Sequence, residues 1–166
     1  MNNLGLIRSA LFVPGNRLER VDKALATEAD AVIIDLEDAV PSSQKDQARS
    51  DVAQKLANTP GHKIIVRVNG LDTPEFARDL KAVVGPNLSG LMVPKIEGPG
   101  EMALINEALL KAEATAGLQA GIVPVIALVE TAKGVENISQ IAAGQTEPAR
   151  LYTVAFGAAD YSLDLG

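Results

Sequence analysis

Carboxylates and cations in this chain sit where apolar runs end. Asp35, Glu37 and Asp38 follow AVII, Arg67 and Asn69 close IIVRVN, Lys95 and Glu97 follow LMVP, Glu130 ends VPVIALV, and Asp160 follows LYTVAFGAA. The run Val123 to Val129 is apolar throughout, so both alternating faces are buried, the habit of a strand in a parallel sheet covered by helices. Such sheets place chemistry at the carboxyl ends of their strands, and with every strand parallel these polar residues share one rim. Glu130 and Asp160 close neighbouring strands and are the candidate ligands of a hard cation. Mg2+ commonly uses one or two protein carboxylates, with waters and substrate oxygens completing an octahedron. A zinc site of the usual nitrogen and sulfur kind is nearly excluded, because the chain has no Cys and one His, His62 beside Gly61 in a turn.

Arg67 stands inside an otherwise apolar β-forming run, where a charge is costly unless it meets a partner. Its planar fork suits a carboxylate or a developing enolate oxygen. The backbone N–H groups of Gly157-Ala158-Ala159-Asp160 lie at a small-residue turn able to cradle a carboxylate. A cation and an Arg together stabilise negative charge on a bound oxyacid. Plainer roles compete for the same residues. Glu130 and Asp160 suit helix capping, Arg67 suits a structural ion pair with Asp35 or Glu37, Glu37 and Asp38 divide between rim chemistry and electrostatic support, and Lys95 suits neutralising the rim.

The elements that must position these residues alternate. Apolar β-type runs span Ala10 to Val13, Ala31 to Leu36, Lys63 to Asn69, Gly90 to Pro94, Val123 to Val129 and Leu151 to Phe156. Helix-period segments follow the first five, over Arg17 to Thr27, Ser43 to Asn58, Pro74 to Val84, Pro99 to Ala116 and Gly134 to Ala142, with apolar stripes such as Leu18, Val21, Leu25 and Met102, Ile105, Leu109. Thr73 before Pro74, Ser43 with Asp46, and Asn16 with Glu19 have capping spacing.

Strict βα alternation means a (β/α)8 barrel or an open doubly wound sheet. The first βα turn, Val13-Pro14-Gly15-Asn16-Arg17, lacks G-x-G-x-x-G, and there is no P-loop anywhere. The chain ends at SLDLG, just past a strand and with no helix expected to cover it. The expectation is a single parallel (β/α) TIM-barrel-type α/β domain over residues 1–166, with about six of eight βα units present and the C-terminal part absent. Its 166 residues and 47% hydrophobic content suit one domain with a real core. A net charge of −6 argues against a nucleic-acid footprint, although Arg8, Arg17, Arg20 and Lys23 gather early enough to hold an anionic ligand. With no signal peptide, no span of roughly 20 apolar residues and no Cys, a soluble cytoplasmic protein is expected.

Six stretches in order carry a resemblance: RSALFVPGNR, AVIIDLEDAV followed by Lys45 and Arg49, VRVNG, VPKIE, VETAKGVEN and FGAADYSLDLG. Together they resemble the citrate lyase β-subunit family with its malyl-CoA and citramalyl-CoA lyase relatives, in the wider group of barrel aldolases. The resemblance implies a Mg2+-dependent carbon–carbon lyase acting on a 3-hydroxyacyl-CoA, with the metal on Glu130 and Asp160. It implies Arg67 against the substrate oxygens. From the rim itself, Glu37 is expected as a catalytic residue beside Arg67, and Ala159 and Asp160, in the small-residue turn, against the substrate. The resemblance also implies coenzyme A, as part of the substrate, near Arg17 and Lys23. A free 2-oxo acid aldolase, a CoA thioester hydrolase and a non-catalytic assembly piece remain as alternatives. Members of the family are longer, close the barrel with two further strands and lend an acidic residue to a neighbouring subunit. The expectation is therefore a homo-oligomer, a trimer or multiple of it, in which this short chain keeps the metal site with diminished turnover.

Overall fold

The structure, a computed structural model, describes residues 4–144 and 146–166. Six strands, β1 Ala10–Pro14, β2 Ala31–Asp35, β3 Ile64–Arg67, β4 Gly90–Val93, β5 Val125–Val129 and β6 Leu151–Phe156, form one sheet in chain order with every neighbouring pair parallel. The connections are helical: α1 Glu19–Leu25, α2 Lys45–Ala57 after a 3-10 turn at Ser42–Gln44, α3 Pro74–Val83, α4 Pro99–Thr115, then α5 Ala132–Glu136 and α6 Ile138–Ala143, and finally α7 Ala158–Leu165. All six expected strands are present. Among the described residues β1 pairs only with β2 and β6 only with β5, so the sheet is not closed.

Alternation along each strand separates two apolar layers. Val32, Ile34, Val66, Leu91, Val93, Val125 and Val129 face outward and pack on Val21, Val52, Leu80, Ile105 and Ile141 of the helices. Ala31, Ile33, Ile65, Met92, Ile126 and Leu128 face inward, where Leu4 joins them. Each fully buried aliphatic side chain is worth about 1.5–3 kcal/mol against exposure. The inner layer is polar at its upper end, because Asp35 and Arg67 are the next inward positions after Ile33 and Ile65 and lie in register with each other.

Several local expectations are corrected. The last strand is not followed by bare chain, since α7 occupies Ala158–Leu165. The helix expected over Gly134 to Ala142 is two, broken at Asn137, whose side-chain amide donates to the Glu97 carbonyl at 2.9 Å and ties the chain to the β4–α4 loop. None of the three proposed capping side chains caps. Asn16 donates to Gln44 at 2.6 Å, Ser43 lies in the 3-10 turn, and the Thr73 hydroxyl donates to the Gly70 carbonyl at 2.8 Å, although Pro74 does open α3. Thr131 accepts from Gly134 N at 3.0 Å instead, and Glu101 reaches back to the N–H groups of Glu97 and Gly98. No helix among the described residues is long and apolar enough to cross a membrane.

Candidate active site

Because β2 and β3 are adjacent and parallel, Asp35 and Arg67 meet side by side on the inner face. The guanidinium makes a bidentate pair, with Nε 2.8 Å from Oδ1 and Nη2 2.6 Å from Oδ2 of Asp35. Asp35 also accepts from the N–H groups of Glu37 and Ala39 at 2.9 and 3.1 Å, which folds the loop after β2 back over the strand end. That fold brings Glu37 Oε2 to 3.0 Å and Asp38 Oδ2 to 3.4 Å from Arg67 Nη1. Phe12 of β1 lies under the guanidinium, 5.5 Å from Cζ to the ring centre, a cation–π contact. The structural ion pair weighed for Arg67 is thus present, and it presents Nη1 to the rim carboxylates.

Glu37 is 8% exposed, and its Oε2 accepts no aligned hydrogen bond despite lying against Arg67. Burial pushes its carboxyl up from 4.5 to about 7, with Arg67 and then Lys95 pulling the other way. Lys95 Nζ stands 3.4 Å from Glu37 Oε1, while the Lys95 backbone N–H donates to Glu130 Oε1 at 3.1 Å. Glu130 is 3% exposed at the end of β5, and burial, then the nearby Asp160, raise its carboxyl above the usual range. Gly157, which precedes α7, makes room for it: a Cβ there would stand 2.6 Å from Glu130 Oε2. Asp160 lies in the first turn of α7, half-buried, and Ala159 is exposed beside it.

The contacts therefore bring Arg67, Glu37, Lys95 and Glu130 into one chain of neighbours, with Asp160 felt at Glu130. Arg17 belongs to the β1–α1 loop on the same rim, whereas Lys23 lies in the last turn of α1, away from the strand ends. Both are exposed, and among the described residues no side chain pairs with either. Among the described residues no three His, Cys, Asp or Glu side chains are grouped to hold an ion by themselves. Glu130 and Asp160 as a pair nonetheless suit Mg2+: both offer hard oxygens, the charge of Asp160 raises the proton affinity of Glu130, and Mg2+ leaves its other positions to water and substrate.

A supporting network escaped the sequence reading. Lys45 Nζ donates to the carbonyls of Leu36 and Glu37, both at 2.8 Å, and to Asn69 Oδ1 at 2.6 Å. Asn69 in turn donates through N and Nδ2 to buried Asp79, which accepts from Arg49 Nε at 2.8 Å. The sequence signals were Asn69 at the end of IIVRVN and the placing of Lys45 and Arg49 one helical turn apart after AVIIDLEDAV, neither of which shows the contacts between them. Asp79 had none, because a lone acid on a helix is normally solvated.

One pH effect follows. Glu37 binds its proton more tightly in the folded chain than in the unfolded one, so the stability it contributes below about pH 4.5 is lost as pH rises through about 7, and Glu130 contributes in the same direction. Urea unfolding at about pH 5 and about pH 7.5 is expected to show that loss in the wild type and a smaller one in Glu37→Gln. Equal losses in the two would refute the assignment to Glu37.

Comparison with known proteins adds to this geometry. The profile of the family described as HpcH/HpaI aldolase/citrate lyase matches residues 8–166. The chain is 36% identical over 167 residues to the citrate lyase subunit beta of Leuconostoc mesenteroides subsp. cremoris, covering 99% of this chain and 54% of that protein. It is 35% identical over 161 residues to a (3S)-malyl-CoA thioesterase of Cereibacter sphaeroides, covering 96% and 51%. Among solved structures, CitE from Mycobacterium tuberculosis in complex with magnesium, acetoacetate and coenzyme A superposes with a TM-score of 0.74 at 34% identity, covering 96% of this chain and 52% of that one. The chain thus spans about half the length of the curated relatives it matches.

Proposed function

We propose, since the chain belongs to the HpcH/HpaI aldolase/citrate lyase family, that it serves the Mg2+-dependent cleavage of a carbon–carbon bond in a 3-hydroxyacyl-CoA of the citryl, malyl or citramalyl kind. The products are an acyl-CoA and a 2-oxo acid. The observation that carries this reading is Glu130, a buried carboxylate closing β5 whose proton affinity is raised by burial and by Asp160. Glu130 and Asp160 hold Mg2+, which supplies Lewis-acid polarisation of the oxyacid oxygens. The N–H groups of Ala159 and Asp160, at the start of α7, receive the substrate carboxylate, as helix N-termini favour anions. Arg67 stabilises the negative charge that develops as the bond breaks. Glu37, whose carboxyl titrates at about 7 and is therefore partly ionised at neutral pH, takes in its carboxylate form the proton of the 3-hydroxyl as that carbon becomes the oxo carbon. The bonding pair passes to the α-carbon of the acyl-CoA, and a proton returned there completes the balance. Arg17, exposed in the β1–α1 loop on the same rim, meets a phosphate of coenzyme A, whereas Lys23 stands too far from the strand ends to share the role. The reading extends to a homo-oligomer in the cytoplasm; for association, the support is Leu11, Phe12 and Phe156, each more than 40% exposed on the two outer strands.

Thioester hydrolysis is the second reading, favoured by the similarity to the malyl-CoA thioesterase. Calorimetric titration with Mg2+, with and without oxaloacetate, tests the site shared by both. Mg2+ is expected to bind, to bind more tightly with the oxyacid, and to lose roughly 10- to 150-fold in affinity in Glu130→Gln and in Asp160→Asn, the worth of one charged contact. No heat in folded wild-type chain would overturn the proposal. Incubation with malyl-CoA then separates the readings, as cleavage yields glyoxylate and hydrolysis yields a free thiol.

A further inference from the structure

Among the described residues Lys95 is the one non-glycine residue with a positive φ, at 57°, in the left-handed region that L side chains rarely adopt. It follows β4 and Pro94, and the next residue already resumes strand-like pairing, Ile96 N donating to the Leu128 carbonyl at 3.1 Å. The left-handed step at Lys95 turns its own N–H away from that ladder and onto Glu130 Oε1 at 3.1 Å. On the opposite side Glu130 packs on Gly157 so closely that a Cβ would stand 2.7 Å from the Glu130 Cβ and 2.6 Å from Oε2. One carboxylate is therefore clamped between a strained backbone N–H and a bare Cα. The Lys95 ammonium, itself half exposed, stands 3.4 Å from Glu37 Oε1; it makes no ion pair with Glu130, although its charge is near enough to pull that carboxyl down.

Strain of this kind persists only where surrounding structure holds it, and it clusters at functional sites. We infer that Lys95 is a positioning residue whose left-handed backbone, rather than its ammonium group, aims the Glu130 carboxylate at the cation. The inference rests on the reading of Glu130 and Asp160 as the Mg2+ pair. A side chain bearing a positive charge beside a cation site opposes binding, so its removal alone does no harm to affinity. Loss of the left-handed turn does, because Glu130 then swings free of its donor. Glycine adopts this conformation without cost, and β-branched residues adopt it least readily.

The experiment compares Mg2+ titrations of the wild type, Lys95→Gly and Lys95→Val, with thermal unfolding of each and amide proton spectra of the wild type and Glu130→Gln. Lys95→Gly is expected to bind Mg2+ within about twofold of the wild type or more tightly, and Lys95→Val roughly fivefold or more weakly. The Lys95 amide proton is expected to move on addition of Mg2+ and to move upfield in Glu130→Gln. Equal weakening in both Lys95 variants would assign the effect to the ammonium and overturn the inference. So would unchanged affinity in both, or a Lys95 amide that ignores Mg2+, a result that stands even where Lys95→Val does not fold. Absence of Mg2+ binding by the wild type overturns the metal reading and this inference with it.

Discussion

Arg150→Met is expected to lower the unfolding free energy by about 3–5 kcal/mol, the cost of leaving one member of a buried ion pair alone. Arg150 and Glu113 are both wholly buried at their side chains. The guanidinium donates through Nη1 and Nη2 to the two Glu113 oxygens at 2.7 and 2.8 Å, through Nη1 to the Val123 carbonyl at 3.2 Å, and through Nε to Asn106. Burial alone would push the Glu113 carboxyl up. Hydrogen bonds from Arg150 and from the N–H groups of Val123 and Gly121 outweigh it and hold the carboxyl below its usual range. This stability is present above the ordinary carboxylate pKa and is lost as pH falls through the depressed one. Glu113→Gln is expected to cost less than Arg150→Met, because an amide oxygen still accepts from one backbone N–H. Urea unfolding midpoints of the two variants and their double mutant check the coupling, and a near-neutral Arg150→Met would refute it. The consequence for the site is positional. The pair joins the end of α4 to the segments that begin β5 and β6, and those strands lead to Glu130 and to Asp160.

Arg67→Met is expected to cost a similar amount, about 3–5 kcal/mol, for a different reason. It removes the cation shared by Asp35, Glu37 and Asp38, of which the first two are buried. Asp35 keeps its two backbone donors, so the larger change falls on Glu37. Arg67 is the strongest influence holding that carboxyl down, and its loss is expected to carry the Glu37 titration above about 7. Arg67→Lys keeps a charge but loses the fork and one of its parallel bonds to Asp35, a cost of about 1.5–3 kcal/mol. Under the proposed function both variants also lose the tightening of Mg2+ binding by oxaloacetate. Urea unfolding, a carboxyl titration followed by magnetic resonance and the calorimetric pair would measure all three. A lysine variant indistinguishable from wild type would show that a point charge suffices and that the bidentate geometry is incidental.

The strand order was legible because each strand is a short apolar run bounded by turn residues, and both faces of a covered parallel sheet exclude polar groups. Arg67 stood out for the same reason, as a charge in a run that should hold none. Asp79, Glu113 and Arg150 did not stand out. Each is a single ionisable residue on a helix or in a loop, where solvent is the ordinary partner, and each is buried by a partner at least 30 positions away. Capping side chains were misjudged where a nearer tertiary acceptor, such as Gln44 for Asn16, outcompeted the helix end.

By itself the sequence determined which residues reach the rim: the period of two places Asp35 after Ile33 and Arg67 after Ile65 on one face, and the parallel order puts Glu130 and Asp160 at the same end. Only the tertiary structure decided how they are held. The register between β2 and β3 makes Asp35 and Arg67 a bidentate pair. The left-handed turn at Lys95 supplies a donor to Glu130, and the bare Cα of Gly157 admits its carboxylate. Hydrogen bonds and close packing of this kind act over a few ångströms in space between residues far apart in the chain, and local pattern carries no record of them.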